Sequence, residues 1–471
     1  MATFTRDYCP DDVALLPTDP RDWLPAGHLC YLVRDAVSIL DLRTFGSSSC
    51  ETRGAPSYSV VMMVSVMLYC LCRGVQSSRR MEGMCLDDLG CRYLSGGIAP
   101  SYRTFIGFRK LHSAALSALL GQTALLCIQA KMTDVSKVFV DGTKIKANAS
   151  KDKNVPYEKI DRRVQTLDRR VGEIMANLDR NDREDELADD SDDTNDSGPV
   201  LRERDLMIER KARLLEAKHQ LEEEAKQAKF EQESRPRSER SHRAYSGVPR
   251  ARTFANGTDP DSRLMGQADR SAIQAYNAQI VVEGKSRVIV GAWLSQKSVD
   301  AGEFLPGIDA MRKTVGLAPD LLVADTGYFS KHNVNAALAT RVTPLMPPKR
   351  PARFEAFVPQ AELAQSQLDA MEPKDRMSAV LATQDGHNNY KQRKSTVETV
   401  YAMIKGCPGS PGLRQFLRRG LQNCLDDWLL MCAVHNLKRY FSAKRQAKSS
   451  TTPGKRTVHQ ASSKMAIQMA F

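Results

Sequence analysis

The sequence predicts an α/β protein: a mixed sheet flanked by helices, with an N-terminal helical domain before it and a helical hairpin inserted in it. Three observations carry that expectation. The apolar runs Val138-Phe139-Val140 and Leu321-Leu322-Val323-Ala324 have the length and composition of buried strands. Residues 8–130 read as mostly helical, and from His28 to Phe45 apolar side chains recur at intervals of three and one, tracing one helix face. Residues 160–178 alternate intervals of four and three within a segment otherwise rich in charge. The expected divisions are an N-terminal helical domain at 1–130, the first part of the sheet domain at 131–152 and the inserted hairpin at 153–250. The rest of the sheet domain follows at 251–441, then a basic flexible tail at 442–471.

The helical domain opens after the turn Pro25-Ala26-Gly27. From His28 to Phe45, residues Leu29, Leu32, Val33, Ala36, Val37 and Leu40 trace one face. Val60 to Leu71 is apolar apart from Ser65 and reads as a largely buried helix. Ser77 to Arg80 opens a third helix, and Pro100-Ser101 a fourth, with Ser101 as its N-cap. The fourth carries Arg103, Arg109, Lys110 and His112, so the domain can either bind DNA by a helix-turn-helix-like mode or support the sheet by packing.

Lys137 to Val140 reads as a short strand ending on Asp141. In the insertion, Ile160, Val164, Leu167, Val171, Ile174 and Leu178 form a coiled-coil-like seam, and Met207, Leu214 and Leu221 a second one. An acidic, solvated link from Asp182 to Ser197 joins them. The expected role of the hairpin is a spacer or dimer arm. Ala275–Val282 and Arg287–Ser295 read as paired strands around Glu283-Gly284-Lys285. A helix from Ala301 to Thr314, the strand Leu321–Ala324, a short helix at Val334–Leu338 and an edge strand at Val342–Met346 with Pro344 follow. Two helices close the domain, Lys391–Lys405 and Leu425–Phe441.

The chain has 471 residues and a formal net charge of +12, which points to a polyanionic partner, nucleic acid before membrane. Lys391 to Thr457 holds 14 Lys or Arg against Glu398, Asp426 and Asp427, a net +11 suited to a phosphate backbone. The 11 cysteines are odd in number and form no CxxC pair, which argues for reduced thiols. No basic-then-apolar leader is evident, and the longest apolar stretch, Val60 to Cys72, is too short to span a bilayer. A cytoplasmic protein is expected.

The chemistry is expected at Asp141, Asp325 and Glu398. Each Asp follows an apolar run and precedes a turn-like segment, Gly142-Thr143-Lys144 or Thr326-Gly327-Tyr328; Glu398 lies at the start of a helical pattern. An Asp in that setting is often only a turn former or helix cap. Three carboxylates gathered together would instead hold Mg²⁺ or Mn²⁺, and a pair of such ions drives in-line attack on a phosphodiester. Trp293 and His435 are expected to serve the core.

The segment Asp141-Gly142-Thr143-Lys144-Ile145-Lys146-Ala147-Asn148-Ala149-Ser150 resembles the first-Asp segment of IS1182-type insertion-sequence transposases. Ala324-Asp325-Thr326-Gly327-Tyr328-Phe329-Ser330 resembles the second, with Thr326 where Ala is usual. Tyr390, Arg393, Glu398 and Lys405 resemble the Tyr-Arg-Glu-Lys signature of DDE transposases, and Lys394 competes with Arg393 for the Arg position. The resemblance runs from about residue 8 to 441. It implies an RNase H-like core, Mg²⁺ (replaceable by Mn²⁺) on Asp141, Asp325 and Glu398, and DNA contacts from Tyr390, Arg393 or Lys394, and Lys405. Arg414, Arg418 and Arg419 are expected to add backbone contacts. The implied partners are double-stranded terminal inverted repeats and target DNA, with a homodimer in the paired-end complex. The competing expectations are an inactive transposase-derived DNA-binding protein, an RNase H-like nuclease and a structural coiled-coil protein.

Overall fold

The computed structural model describes residues 19–46, 57–187, 198–234, 237, 245–267, 270–349, 357–406 and 412–450. Residues 188–197 of the acidic link, residues 407–411 and residues 451–471 of the basic tail lie outside them; the start of the link, expected as a solvated loop from Asp182, is helical to Leu187. The N-terminal helices are α1 (Leu29–Val37), α2 (Val60–Cys72), α3 (Ser78–Asp87), α4 (Leu89–Ser95), α5 (Tyr102–Leu111) and α6 (Ser113–Gln129). Ser101 caps α5 by accepting from the Thr104 amide, as its position predicts. The first helix is shorter than expected, because the chain turns after Val37 and reaches Phe45 through a 3-10 turn.

The sheet begins with β1 (Lys137–Lys146). After it come β2 (Asn154–Pro156), the long helices α7 (Ile160–Leu187) and α8 (Gly198–Ser234), and β3 (Phe254–Asn256), which pairs with β2. The remaining strands are β4 (Arg263–Gly266), β5 (Ala272–Glu283) and β6 (Ile289–Ser295). Next come α9 (Phe304–Val315), β7 (Leu321–Val323), α10 (Lys331–Ala339) and β8 (Thr343–Leu345). The chain closes with α11 (Gln365–Asp369), α12 (Pro373–Ala382), α13 (Gln384–Lys405) and α14 (Leu421–Ser450). Helix α14 continues past Phe441, where the sequence reading placed a flexible tail.

The strand order is β4-β5-β1-β7-β8, with β6 beside β4 on the same edge of β5. Strands β1, β5 and β6 are antiparallel; β7 and β8 run parallel to β1. Pro344 lies in the edge strand, where a missing N–H costs no ladder bond. The expected end of β1 at Val140 is corrected: it pairs with β5 from Val138 through Lys146.

Alternation along β1 separates two layers. Val140 faces α9, where Gly307 lets the helix approach Val140 and Val281. Phe139 and Asp141 face α13, whose Gln392 bonds the Gly284 carbonyl (3.0 Å). The N-terminal helices share one apolar cluster with the sheet. Asp426 on α14 accepts from Ser113 (2.6 Å) and Ser117 (3.1 Å), tying α6 to α14. Arg109 is buried, donates to the Gln76 carbonyl (3.1 Å) and faces Asp427, so it serves packing and not a DNA surface. His435 is buried against the Arg287 carbonyl, and desolvation pushes its pKa down to about 4. Cys70 and Cys72 are buried free thiols. Among the described residues no single helix is long and apolar enough to cross a membrane.

Helices α7 and α8 run antiparallel, with Lys218 on Asp161 and Lys211 on Asp168. Ile160, Val164, Leu214, Ala217, Leu221 and Ala255 form a second apolar cluster, separate from the first. The apolar positions of the seam are the ones that bury, because they alone meet across the pair. Separate cores imply separable stability. Leu214→Asp should therefore abolish amide-exchange protection in α7 and α8 while leaving β1 and β5 protected, measured by hydrogen exchange with mass spectrometry. Loss of protection in β1 as well would mean that the hairpin and sheet fold as one unit.

Candidate active site

Two adjacent parallel strands place the two aspartates. Phe139 on β1 stands opposite Val323 on β7, so two residues further along, Asp141 and Asp325 are neighbours on the same face. Asp325 has just left its strand and caps the turn Thr326–Tyr328, accepting from the Gly327 amide (2.7 Å). Capping and juxtaposition thus coexist in one side chain. Asp141 accepts from the Gly142 amide (3.0 Å) and is 19% exposed.

Burial pushes the Asp141 carboxyl up to about 6. The Arg393 guanidinium, 3.2 Å from Oδ2, pulls in the opposite direction; Asp325 and, last, Asp300 add to the upward push. Helix α13 brings Arg393 to this point and makes two further ties to β1. The Tyr401 hydroxyl donates to the carbonyls of Asp141 (2.5 Å) and Ala278 (3.1 Å). Lys405 Nζ donates to Thr143 Oγ1 and to the Lys144 carbonyl (3.3 Å), and its burial holds its pKa below the usual lysine range.

The other expected residues are distributed as follows. Tyr390 is packed against the core with the Arg393 guanidinium 5.9 Å from its ring centroid. Glu398 and Lys394 are exposed on α13. Glu398 makes no hydrogen bond or ion pair with a described residue, and the structure does not draw it into the aspartate pair. Arg414 donates to the carbonyls of Lys405 (3.1 Å) and Gly406 (2.8 Å), and Arg419 to that of Asn148 (3.0 Å); both are exposed. Arg418 is held internally by Asp427 (2.8 Å) and Asp426 (3.9 Å).

Two residues of the arrangement escaped the sequence reading. Tyr401 is one. The other is Asp300, in the loop before α9, whose Oδ1 accepts from Asn277 (2.7 Å) and Gln279 (2.8 Å). Gln279 in turn accepts from the Tyr328 hydroxyl. This network lies directly behind Gly142: a Cβ there would stand 2.1 Å from Gln279 Nε2 and 2.8 Å from Asp300 Oδ1. Only glycine fits beside Asp141, and that Gly was the available signal for a crowded back face. Trp293 donates to Glu303 (2.7 Å) and is engaged in structure.

The aspartate pair offers hard oxygen donors, the ligand type that Mg²⁺ and Mn²⁺ take. Among the described residues no group of three or more His, Cys, Asp or Glu is spaced to hold a metal ion.

A family model described as Transposase domain (DUF772) matches residues 18–111, and one described as Transposase DDE domain matches residues 360–441. The chain carries two transposase domains, consistent with an IS1182-type DDE transposase. No curated protein and no solved structure matches the chain significantly. The first match covers α1 to α5, and the second covers α11, α12, α13 and α14 to Phe441. Asp141 and Asp325 lie between the two matches, so their assignment rests on the sheet geometry.

The raised Asp141 pKa has a consequence for stability. With its folded value near 6 and an unfolded value near 3.8, the group favours the folded state only below the lower value. That contribution is lost as pH rises through 6. In EDTA, the stability of Asp141→Asn relative to the parent should therefore grow between pH 4 and 6 and then level off. The gain should be of order 2–3 kcal/mol. Urea unfolding across that range measures it; a constant difference would place Asp141 at an ordinary carboxylate value.

Proposed function

We propose that the chain is a metal-dependent DDE transposase that cleaves DNA at the terminal inverted repeats of an insertion sequence and transfers the freed 3′ ends to target DNA. The observation that carries this reading is the parallel register that sets Asp141 beside Asp325, with α13 docked over them. An antiparallel set of β6, β5 and β1 followed by parallel β7 and β8 supports an RNase H-like core for that chemistry. Glu398 is seven residues before Lys405, two helical turns, so both project from nearly the same side of α13. Lys405 reaches β1 two to three residues past Asp141, and the exposed Glu398 would have to turn towards the aspartates to join them.

Asp141, Asp325 and Glu398 are the residues that would hold Mg²⁺, or Mn²⁺ in its place. When bound, the metal lowers the pKa of an attacking water or 3′-hydroxyl and neutralises charge on the scissile phosphate. The chain's own part is positioning. The β1–β7 register fixes the spacing of two carboxylates, and Tyr401 and Lys405 hold α13 at a set height above them. Lys394, Arg414 and Arg419 are exposed cations that offer phosphate contacts, with Tyr390 and Arg393 beside the carboxylates. Arg418, committed to Asp426 and Asp427, anchors α14 instead. Paired-end chemistry requires two protomers, which points to a homodimer on DNA in the cytoplasm.

The test is strand cleavage of duplexes carrying the flanking terminal repeats, in Mg²⁺ and in Mn²⁺. Asp141→Asn, Asp325→Asn and Glu398→Gln each remove a metal-binding charge with little change of volume. Each should lower cleavage by more than about 100-fold, beyond the loss typical of a ligand's supporting partners. End binding in a mobility-shift assay should persist. If Glu398→Gln cleaves like the parent, the exposed glutamate is no ligand. If the parent binds ends without cleaving, the inactive DNA-binding protein becomes the better reading.

A further inference from the structure

The inserted hairpin segregates its charge. On most of its surface cations are paired: Lys211 with Asp168, Lys218 with Asp161, Lys226 with Glu223, Arg213 with Glu209. At its base the pattern changes. A cavity of about 560 Å³ opens between α7, α8 and the β2–β3 pair, and Lys153, Lys159, Arg162, Arg163 and Arg210 line it. All five are exposed, and none forms an ion pair or side-chain hydrogen bond with a described residue. One acid, Asp152, lines the same cavity and accepts from Ser150 Oγ (3.0 Å). Five cations against one carboxylate is a net +4 on one concave surface.

Holding that many like charges together without internal partners is unfavourable unless an anion meets them. The spacing is that of one helix face: Lys159, Arg162 and Arg163 are three and four residues apart, and Arg210 approaches from the facing helix. Leu167 and Leu214 give the cavity an apolar floor, so the arginine stems can lie on it while their heads reach outward.

The location ties the cavity to the sheet. Asn154 Nδ2 donates to Gln274 Oε1 (3.0 Å), next to Ala275, which pairs with the last residue of β1. From Asp141 to Lys146, β1 advances about 17 Å. The cavity therefore lies within about one duplex turn, ~34 Å, of the aspartate pair. Arg419, bonded to the Asn148 carbonyl, stands on the way between them.

We propose that the hairpin base is a second DNA-backbone site, gripping duplex phosphates about one turn from the scissile position. This rests on the transposase reading and adds to it: the hairpin is a DNA clamp, where the sequence led us to expect a spacer or dimer arm. Lys153, Lys159, Arg162, Arg163 and Arg210 contact sugar-phosphate and read no sequence.

The experiment uses the full chain and a fluorescein-labelled duplex of about four helical turns (~40 bp). Affinity is measured by anisotropy across a salt series. The Arg162→Gln/Arg163→Gln/Arg210→Gln triple variant should flatten the slope of log K against log salt by about 2.7, at 0.9 per lost contact. The matching triple Lys variant should keep the parent slope. Circular dichroism checks that all three chains retain the helix content of the parent. An unchanged slope in the Gln variant overturns the clamp, as does an equal fall in the Lys variant, which would point to packing. Absence of any duplex binding by the parent would instead sink the transposase reading itself.

Discussion

The continuity of β1 through Asp141 is the constraint on which the rest of the site depends. Nine consecutive residues of β1 pair with β5, and three with β7 on the opposite edge. A strand fixed on both edges cannot slip by one residue without turning Asp141 into the opposite layer. Gly142 makes the arrangement possible, because its missing Cβ admits the Asp300–Gln279–Asn277 network behind the strand. Helix α13 then reads its position from β1 at three points: the Asp141 carboxylate, the Asp141 carbonyl and Thr143.

The electrostatics of the pair follow from that geometry. Asp141, mostly desolvated and beside the Asp325 carboxylate on the neighbouring parallel strand, resists ionisation. Arg393 offsets part of that cost from α13. The proposed function gives the same guanidinium a DNA phosphate, so carboxylate and phosphate would draw on one cation. The basic surface divides in a similar way. Arg109 and Arg418 are absorbed by Asp426 and Asp427 to hold α5 and α14 together, whereas Arg414, Arg419 and the hairpin base keep their charge outward.

Much of this was legible in the sequence, for identifiable reasons. Alternating three and four spacings gave the hairpin, because only those positions meet across a helix pair; Ile160, Val164 and Leu214 are buried as their spacing requires. Short apolar runs bounded by turn residues gave β5, β6 and β7. The end of β1 was not legible: Asp141, Gly142 and Lys144 are poor strand formers, and only pairing with β5 keeps them extended. Asp300 could not be found because it has no strand before it and enters the site from the far side of the sheet. The burial of Arg109 was equally invisible, since a basic helix gives no sign that an acidic partner waits on a helix three hundred residues later. Nor does sequence separate exposed Glu398 from the half-buried aspartates; that difference arises from the rotation of α13 about its axis.

The central claim is that Asp141 and Asp325, side by side on parallel strands, form the metal-holding centre with Glu398 completing it. The most direct measurement is anomalous diffraction from crystals of the chain with terminal-repeat DNA and Mn²⁺, recorded near the manganese edge. The account predicts a peak about 2.0–2.2 Å from oxygens of both aspartates, with Glu398 turned towards it. A peak that lacks Asp141 or Asp325 among its ligands, or a saturating Mn²⁺ soak that leaves the β1–β7 edge without a peak, would contradict it.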